Sequence, residues 1–307
     1  MVLPAFRVRH STVCLSAAGI CWGAGGVTGQ ALADATGLSA AVVAADRLGC
    51  GGGLLVLALA LRRAPLPRHR VVWLRILAVA GLSAVFQTFY FAATAVGSVS
   101  TATLITIGSA PVFVAVAEAA MARTRPAAGV IRRVVVGVLG LVALVGVPSA
   151  GTSLAANLLA AAFAAAAGLA FALFTLLGRR PLAHVAQPTV TGYGFLVGGV
   201  LIAAVSAPFG TWHSLTFPVT ALSAGLLVLL ATVPTALAYS LFAVGLRDAP
   251  ASTASILALL EPLTGTLLAI AVFGDTLSAS QVLGALLLAG CVLDATLADQ
   301  AAHRREK

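Results

Sequence analysis

The 307 residues are 60% hydrophobic and only 9% charged, with a mean hydropathy of +1.07, whereas roughly a quarter of the residues in soluble domains are charged. This excludes a soluble globular fold, because no water-surrounded core hides so much apolar surface. The formal charge of +9 comes as short arginine clusters at the ends of apolar runs. With no aromatic interleaving and no basic face, it excludes a nucleic-acid partner and points to membrane topology.

Spanning ~30 Å of hydrocarbon at ~1.5 Å per residue takes about 20 apolar residues. Breaks at charged, Pro-rich and Gly-rich stretches divide the chain into predicted segments 12–33, 38–61, 71–95, 99–122, 130–149, 153–177, 188–207, 219–246, 251–273 and 279–298. Arg7, Arg9 and His10 precede the first run, and Ala31-Leu32-Ala33 resembles a signal-peptidase site. The run from Thr12 to Ala33 is too long for a typical signal-peptide core, so it is predicted as the first transmembrane helix.

With the N-terminus inside, the even-numbered loops are cytoplasmic and receive Arg62, Arg63, Arg68, Arg70, Arg75, Arg123, Arg125, Arg132, Arg133, Arg179, Arg180 and Arg247. The tails add Arg7, Arg9, Arg304, Arg305 and Lys307, so 17 of the 18 basic residues fall on one side, none in a predicted outside loop, with Arg47 left over within a helix. Such one-sidedness predicts ten helices with both termini cytoplasmic, in the cell membrane.

The halves echo each other. Ala95-Val96-Gly97 and Ala243-Val244-Gly245 precede small-residue stretches leading to Pro111 and Pro262, and Gly140 and Gly146 match the spacing of Gly284 and Gly290. Five helices per half turn the second half over in the membrane. The predicted fold is therefore an all-α integral membrane protein of ten transmembrane helices arranged as two inverted five-helix repeats. The first repeat is residues 1–150 and the second 151–307, each with a short cytoplasmic tail.

Candidate functional residues are the polar and helix-breaking groups deep in the spans. Pro111 and Pro262 remove the hydrogen bonds to the carbonyls of Ile107 and Ala258, freeing each for a ligand or simply kinking the helix. Glu261 lies about 15 Å into the ninth span, where an ionised carboxylate costs several kcal/mol unless it is paired or meets water. Proton carriage, contact with a substrate amine and helix packing would each justify it. Asp46 and Arg47 point about 100° apart on one helix, so each needs a different partner; the arginine suits a carboxylate. Glu118, near Arg123 and Arg125, is expected to snorkel to the surface.

Gln87, Tyr90 and Thr94 recur at helical spacing on the third helix, and Thr235 and Tyr239 share a face of the eighth. They either orient a ligand or act as polar glue between helices. Trp22 either stacks on a ligand or packs. The glycine runs around Gly25 and Gly51 lack a phosphate-loop lysine and are read as close-packing surfaces. Cys14, Cys21, Cys50 and Cys291 have no metal or redox spacing and are read as buried apolar groups. The five histidines are placed in tails or loops. No acidic or His/Asp cluster supports a metal site, a cofactor or enzymatic catalysis.

Several runs, taken in order, resemble the EamA-type branch of the drug/metabolite transporter superfamily across nearly the whole chain. In the second half these are Pro234 to Tyr239, Arg247 to Pro250, Leu260-Glu261-Pro262, Phe273-Gly274-Asp275 and Gly284 to Gly290. In the first half they are Trp22-Gly23, Arg47, Phe89 to Ala92, Ala110 to Phe113 and Gly140 to Gly146. The family usually carries Gly-Glu after the fourth and ninth helices. Here Arg123-Thr124-Arg125 replaces the first and Asp275 stands in the second, and Asp46 beside Arg47 is unusual.

The resemblance implies a ten-helix transporter, secondary active or facilitative, exporting a small metabolite, amino acid or drug-like compound by alternating access. Protons are the candidate coupling ion. The cavity is expected among the first, third, fourth, sixth, eighth and ninth helices. Glu261 and Arg47 would handle charge, Trp22, Gln87, Tyr90, Thr94, Thr235 and Tyr239 would shape the site, and Pro111 and Pro262 would permit bending where the halves meet. Partners are a small-molecule substrate and the lipid bilayer. The rival readings are a membrane-embedded lipid-processing protein and a non-transporting membrane partner or sensor. The sequence leaves the substrate and the oligomeric state open.

Overall fold

The computed structural model describes residues 4–146, 153–180, 182, 185–206, 219–273 and 277–305. Among them are ten helical spans long and apolar enough to cross a membrane, from His10–Thr36 to Ala279–Ala301. The first seven are α1 (Pro4–Thr36), α2 (Ala40–Leu61), α3 (Arg70–Val96), α4 (Val99–Ala122), α5 (Ala128–Val145), α6 (Leu154–Gly178) and α7 (Gln187–Ser206). The eighth is α8 (Ala221–Ala231), a π-helical segment (Thr232–Leu237) and α9 (Ala238–Gly245). The ninth is α10 (Ala251–Leu257) and α11 (Leu260–Phe273), and the tenth is α12 (Ala279–Arg305). The protein is thus a multi-pass, all-helical membrane protein.

Local chemistry sets the ends. Ser39, Ser98 and Ser153 each accept the amide three residues on, and Thr220 forms a reciprocal capping box with Ser223. These side chains satisfy amides that the first turn of a helix leaves without partners. All four caps lie at one end of the bundle, called here the far end; the arginine-bearing loops define the basic end. The expected segment boundaries hold to within a few residues, with two extensions. Helix α1 begins at Pro4, a residue suited to a first helical position because it needs no amide partner, so His10 sits within a helix and not a tail. Helix α12 runs on to Arg305. Positions 147–149 of the predicted fifth segment, the expected repeat boundary at 150/151, and Gly274, Asp275 and Lys307 lie outside the described residues.

The strongest packing contacts keep their pattern when each span is exchanged for the one five later. Span three packs on six as eight packs on one, and four packs on six as nine packs on one, while two packs on seven and five on ten. Small residues bring these backbones together, since lipid offers little hydrophobic drive for helices to associate. A Cβ on Gly52 would stand 2.3 Å from the Leu196 amide nitrogen of α7, and one on Gly284 would stand 2.6 Å from the Gly140 carbonyl. Gly140 and Gly284, paired from sequence, therefore meet in space, whereas Gly290 has open space and Gly146 takes a positive φ of 85° beyond α5.

The outer surface is apolar, with Leu54, Leu57 and Leu61 exposed along one side of α2. Cys50 lies on that same side and is exposed, which corrects its reading as a buried residue. Its neighbours at helical spacing, Leu54 and Leu57, are exposed with it.

Candidate functional site: a cavity between the halves

A cavity of about 290 Å³ lies inside the bundle. It reaches the far end at Gln30, Ala33, Ala40, Thr94 and Val99 and runs inward to Trp22, Phe171, Tyr239 and Glu261. Of the ten residues singled out from sequence, Trp22, Arg47, Gln87, Tyr90, Thr94, Tyr239 and Glu261 line it. Pro111, Thr235 and Pro262 do not, though Thr235 acts on the site through Arg47. The second helix, absent from the predicted lining, contributes Ala40, Val43, Ala44 and Arg47.

Arg47 is held by the π-helical segment. Pro234 cannot donate an amide to the Leu230 carbonyl four residues back, and an ordinary helical turn would press its ring onto that oxygen. The turn widens, and the Thr235 hydroxyl donates to the Leu230 carbonyl at 2.8 Å. With its proton committed, the same oxygen accepts from Arg47 Nε at 3.1 Å. One side of the guanidinium is thus fixed, and the described ion pairs all involve other residues. Pro234 entered the sequence analysis only as the start of a family-like run, and its part in placing Arg47 comes from the widened turn.

Glu261 comes from the break in the ninth span. Residues 258 and 259 leave the helix, and the Glu261 amide turns back to donate to the Ala258 carbonyl at 3.0 Å. This corrects the expectation of a free Ala258 carbonyl. Pro262 falls in the first turn of α11, where a missing amide costs little, instead of in a helix interior. Pro111 does lie inside α4, and Ile107, whose carbonyl it cannot pair, is part of the cavity wall. Glu261 has no ion-pair partner among the described residues. One cavity therefore presents an arginine and a glutamate that are not spent on each other.

The inner floor is aromatic. Trp22 packs against Phe171, Tyr239 and Phe242 with ring centroids 4.9 to 5.8 Å apart, and Phe195 meets Tyr239 at 4.5 Å. These spacings are those of favourable tilted and edge-to-face pairs. Trp22 is buried and its Nε1 has no hydrogen-bond partner among the described residues. Behind the floor, toward the basic end, lies a void of about 20 Å³ bordered by Arg75, Gln187, Val190 and Phe174. Higher in the wall the Tyr90 hydroxyl meets Thr103 at 2.9 Å, while Thr94 donates to its own helix at Phe91.

A model of the EamA-like transporter family matches the chain twice, over residues 11–146 and 158–293. The chain belongs to that family. An uncharacterized transporter of Bacillus subtilis (strain 168), YwfM, is 30% identical over 288 residues, covering 93% of this chain and 92% of its own. An uncharacterized transporter of Archaeoglobus fulgidus is 29% identical over 132 residues, 43% of this chain and 46% of that protein. A solved crystal structure, 20% identical, superposes with a TM-score of 0.81 over 95% of this chain and 98% of its own, a likeness of fold. As in these relatives, the activity to seek in this EamA-like protein is membrane transport.

The remaining predicted charges fall elsewhere. Asp46 is not in the cavity wall, and its Oδ2 is buried without a hydrogen-bond partner among the described residues. Glu118 does not snorkel toward Arg123 and Arg125. It turns inward, accepting from Arg179 Nη1 at 3.0 Å and from the backbone amides of Ala251 and Ser252 at 2.9 and 3.2 Å. Among the described residues no three His, Cys, Asp or Glu side chains gather as metal ligands would.

Proposed function

We propose that this protein is a secondary transporter of the cell membrane, with both termini cytoplasmic, that exports a small solute by alternating access between two inverted five-helix repeats. The carrying observation is the pair of unspent charges, Arg47 and Glu261, lining one cavity that reaches the far end of the bundle. Burying either charge is costly without a partner, so a solute bearing both a carboxylate and an amine suits this chamber, with Arg47 taking the acid and Glu261 the base. The volume of about 290 Å³ lies at the small end of ligand pockets, which supports an amino-acid-sized metabolite over a large drug. Tyr90, Gln87 and Tyr239 give the chamber its shape, and the aromatic floor lies between it and the basic end, the side proposed to face the cytoplasm. Protons are the proposed coupling ion, carried on Glu261.

The test is uptake into inverted vesicles across a panel of amino acids, amines, acids and neutral solutes, with and without a proton gradient. Zwitterions are expected to be carried best. Arg47→Gln removes the preference for a carboxylate and Glu261→Gln removes both the preference for an amine and the response to the gradient. No flux of any panel solute, or an unaffected Glu261→Gln variant, would refute the corresponding part.

A further inference from the structure

At the basic end, the start of the ninth span lacks a cap of its own. Pro250 precedes α10 and supplies no side-chain hydrogen bond, unlike the self-capped spans at the far end. Helix starts expose amides that seek acceptors. Glu118 of α4, distant in sequence, meets this need with both carboxylate oxygens, Oε1 for Ala251 and Oε2 for Ser252. The same Oε1 also receives Arg179, the residue that follows α6. One carboxylate thereby ties the basic ends of spans four, six and nine.

Two further ties converge on the last turn of α6. Arg75 of α3 donates to the Leu177 carbonyl, and the Gln187 side chain of α7 donates to the Gly178 carbonyl at 2.8 Å. The five hydrogen bonds made by Glu118, Arg75 and Gln187 tie the basic end together beneath the aromatic floor. Helix α10 has only seven residues. Its first amides rest on Glu118, Ser255 one turn later lines the cavity, and the break that sets Glu261 follows directly. Glu118 thus grips one end of a short rigid segment whose other end belongs to the solute chamber.

We propose that Glu118 is a positioning residue for the transport cycle, an inner latch that holds the basic end closed and couples its release to movement of α10. The proposal rests on the alternating-access reading above, but its test reads the gate and needs no solute. In a chain with Cys14, Cys21, Cys50 and Cys291 replaced, single reporters are introduced as Val190→Cys, bordering the void behind the floor, or Val99→Cys, at the far end of the cavity. A membrane-impermeant maleimide is applied to vesicles of each orientation.

Glu118→Ala is expected to raise Val190→Cys labelling about tenfold or more, the factor carried by one charge-assisted hydrogen bond, and to lower Val99→Cys labelling in return. Arg179→Gln, which leaves the helix cap in place, is expected to give a smaller shift of the same sign. The charge-reversed pair Glu118→Arg with Arg179→Glu restores opposite charges but no acceptor for Ala251 and Ser252, so it remains open. Closure restored by that reversal, unchanged labelling in Glu118→Ala, or both reporters rising together would each overturn the latch. Reciprocal labelling in a protein that moves no panel solute would keep the latch and defeat the transport reading. Transport with unaffected labelling would do the reverse.

Discussion

Two glycines three residues apart on α1 make opposite predictions. A Cβ on Gly23 would stand 2.5 Å from Thr264 Cβ, 2.8 Å from the Gly265 nitrogen and 2.9 Å from the Glu261 carbonyl. Two of those atoms are backbone, so relief requires α1 and α11 to separate, and overpacking of this kind costs about 1–3 kcal/mol. Gly26 has nothing among the described residues within 4 Å of its would-be Cβ and lines the cavity. There a methyl gains about 0.5–1 kcal/mol of helix propensity and only narrows the chamber. At roughly 2–4 °C per kcal/mol for a large domain, Gly23→Ala should lower the apparent Tm in detergent by several degrees, whereas Gly26→Ala should leave it unchanged or raised. Because Gly23 touches the residue that carries the cavity carboxylate, Gly23→Ala should also weaken transport of amine-bearing solutes. Equal melting of the two variants would refute the packing argument.

Thr235→Val keeps the shape of the side chain but removes both the acceptor for Arg47 and the donor to Leu230. The affinity for carboxylate-bearing solutes should fall about tenfold, the weight of a hydrogen bond to a charged group, while neutral solutes are unaffected in a competition assay. Arg123 holds a left-handed conformation, φ 53°, at the end of α4, which costs a residue with a side chain about 1–2 kcal/mol. Arg123→Gly should therefore raise the melting temperature, and a fall would count against strain there. Asp294 takes both Arg132 and Arg133 at 2.8 Å, but it and Arg132 are 40% and 65% exposed. Asp294→Asn should cost no more than about 1 kcal/mol, a loss that vanishes in molar salt when thermal unfolding is compared across ionic strengths.

Much of the cavity was legible as isolated polar letters in an apolar text. Gln87, Tyr90 and Thr94 share one face of α3 by simple periodicity, and all three reach the chamber. Glu261 and Arg47 declared themselves because charge is expensive in hydrocarbon wherever it has no purpose. The small residues Gly25, Gly26, Gly29 and Ala258, which also form the wall, gave no such signal, since apolar residues of this size line cavities, lipid contacts and helix crossings alike. Pro234, Pro111 and Pro262 look equivalent in sequence. In the structure one widens a turn, one lies within a continuous helix and one begins a new helix.

The sequence by itself determined the ten spans, their boundaries and the gathering of arginines at one end. Each follows from a local rule: the length of an apolar run, the identity of a cap, the cost of moving a charge across lipid. Only the tertiary structure decided which charges meet. It sent Glu118 inward to cap α10 and Asp46 away from the chamber, and it left Arg47 resting on Thr235 with Glu261 on the same cavity wall. Those outcomes depend on how helices far apart in sequence are rotated and brought close by glycine contacts, and no window of sequence contains that geometry.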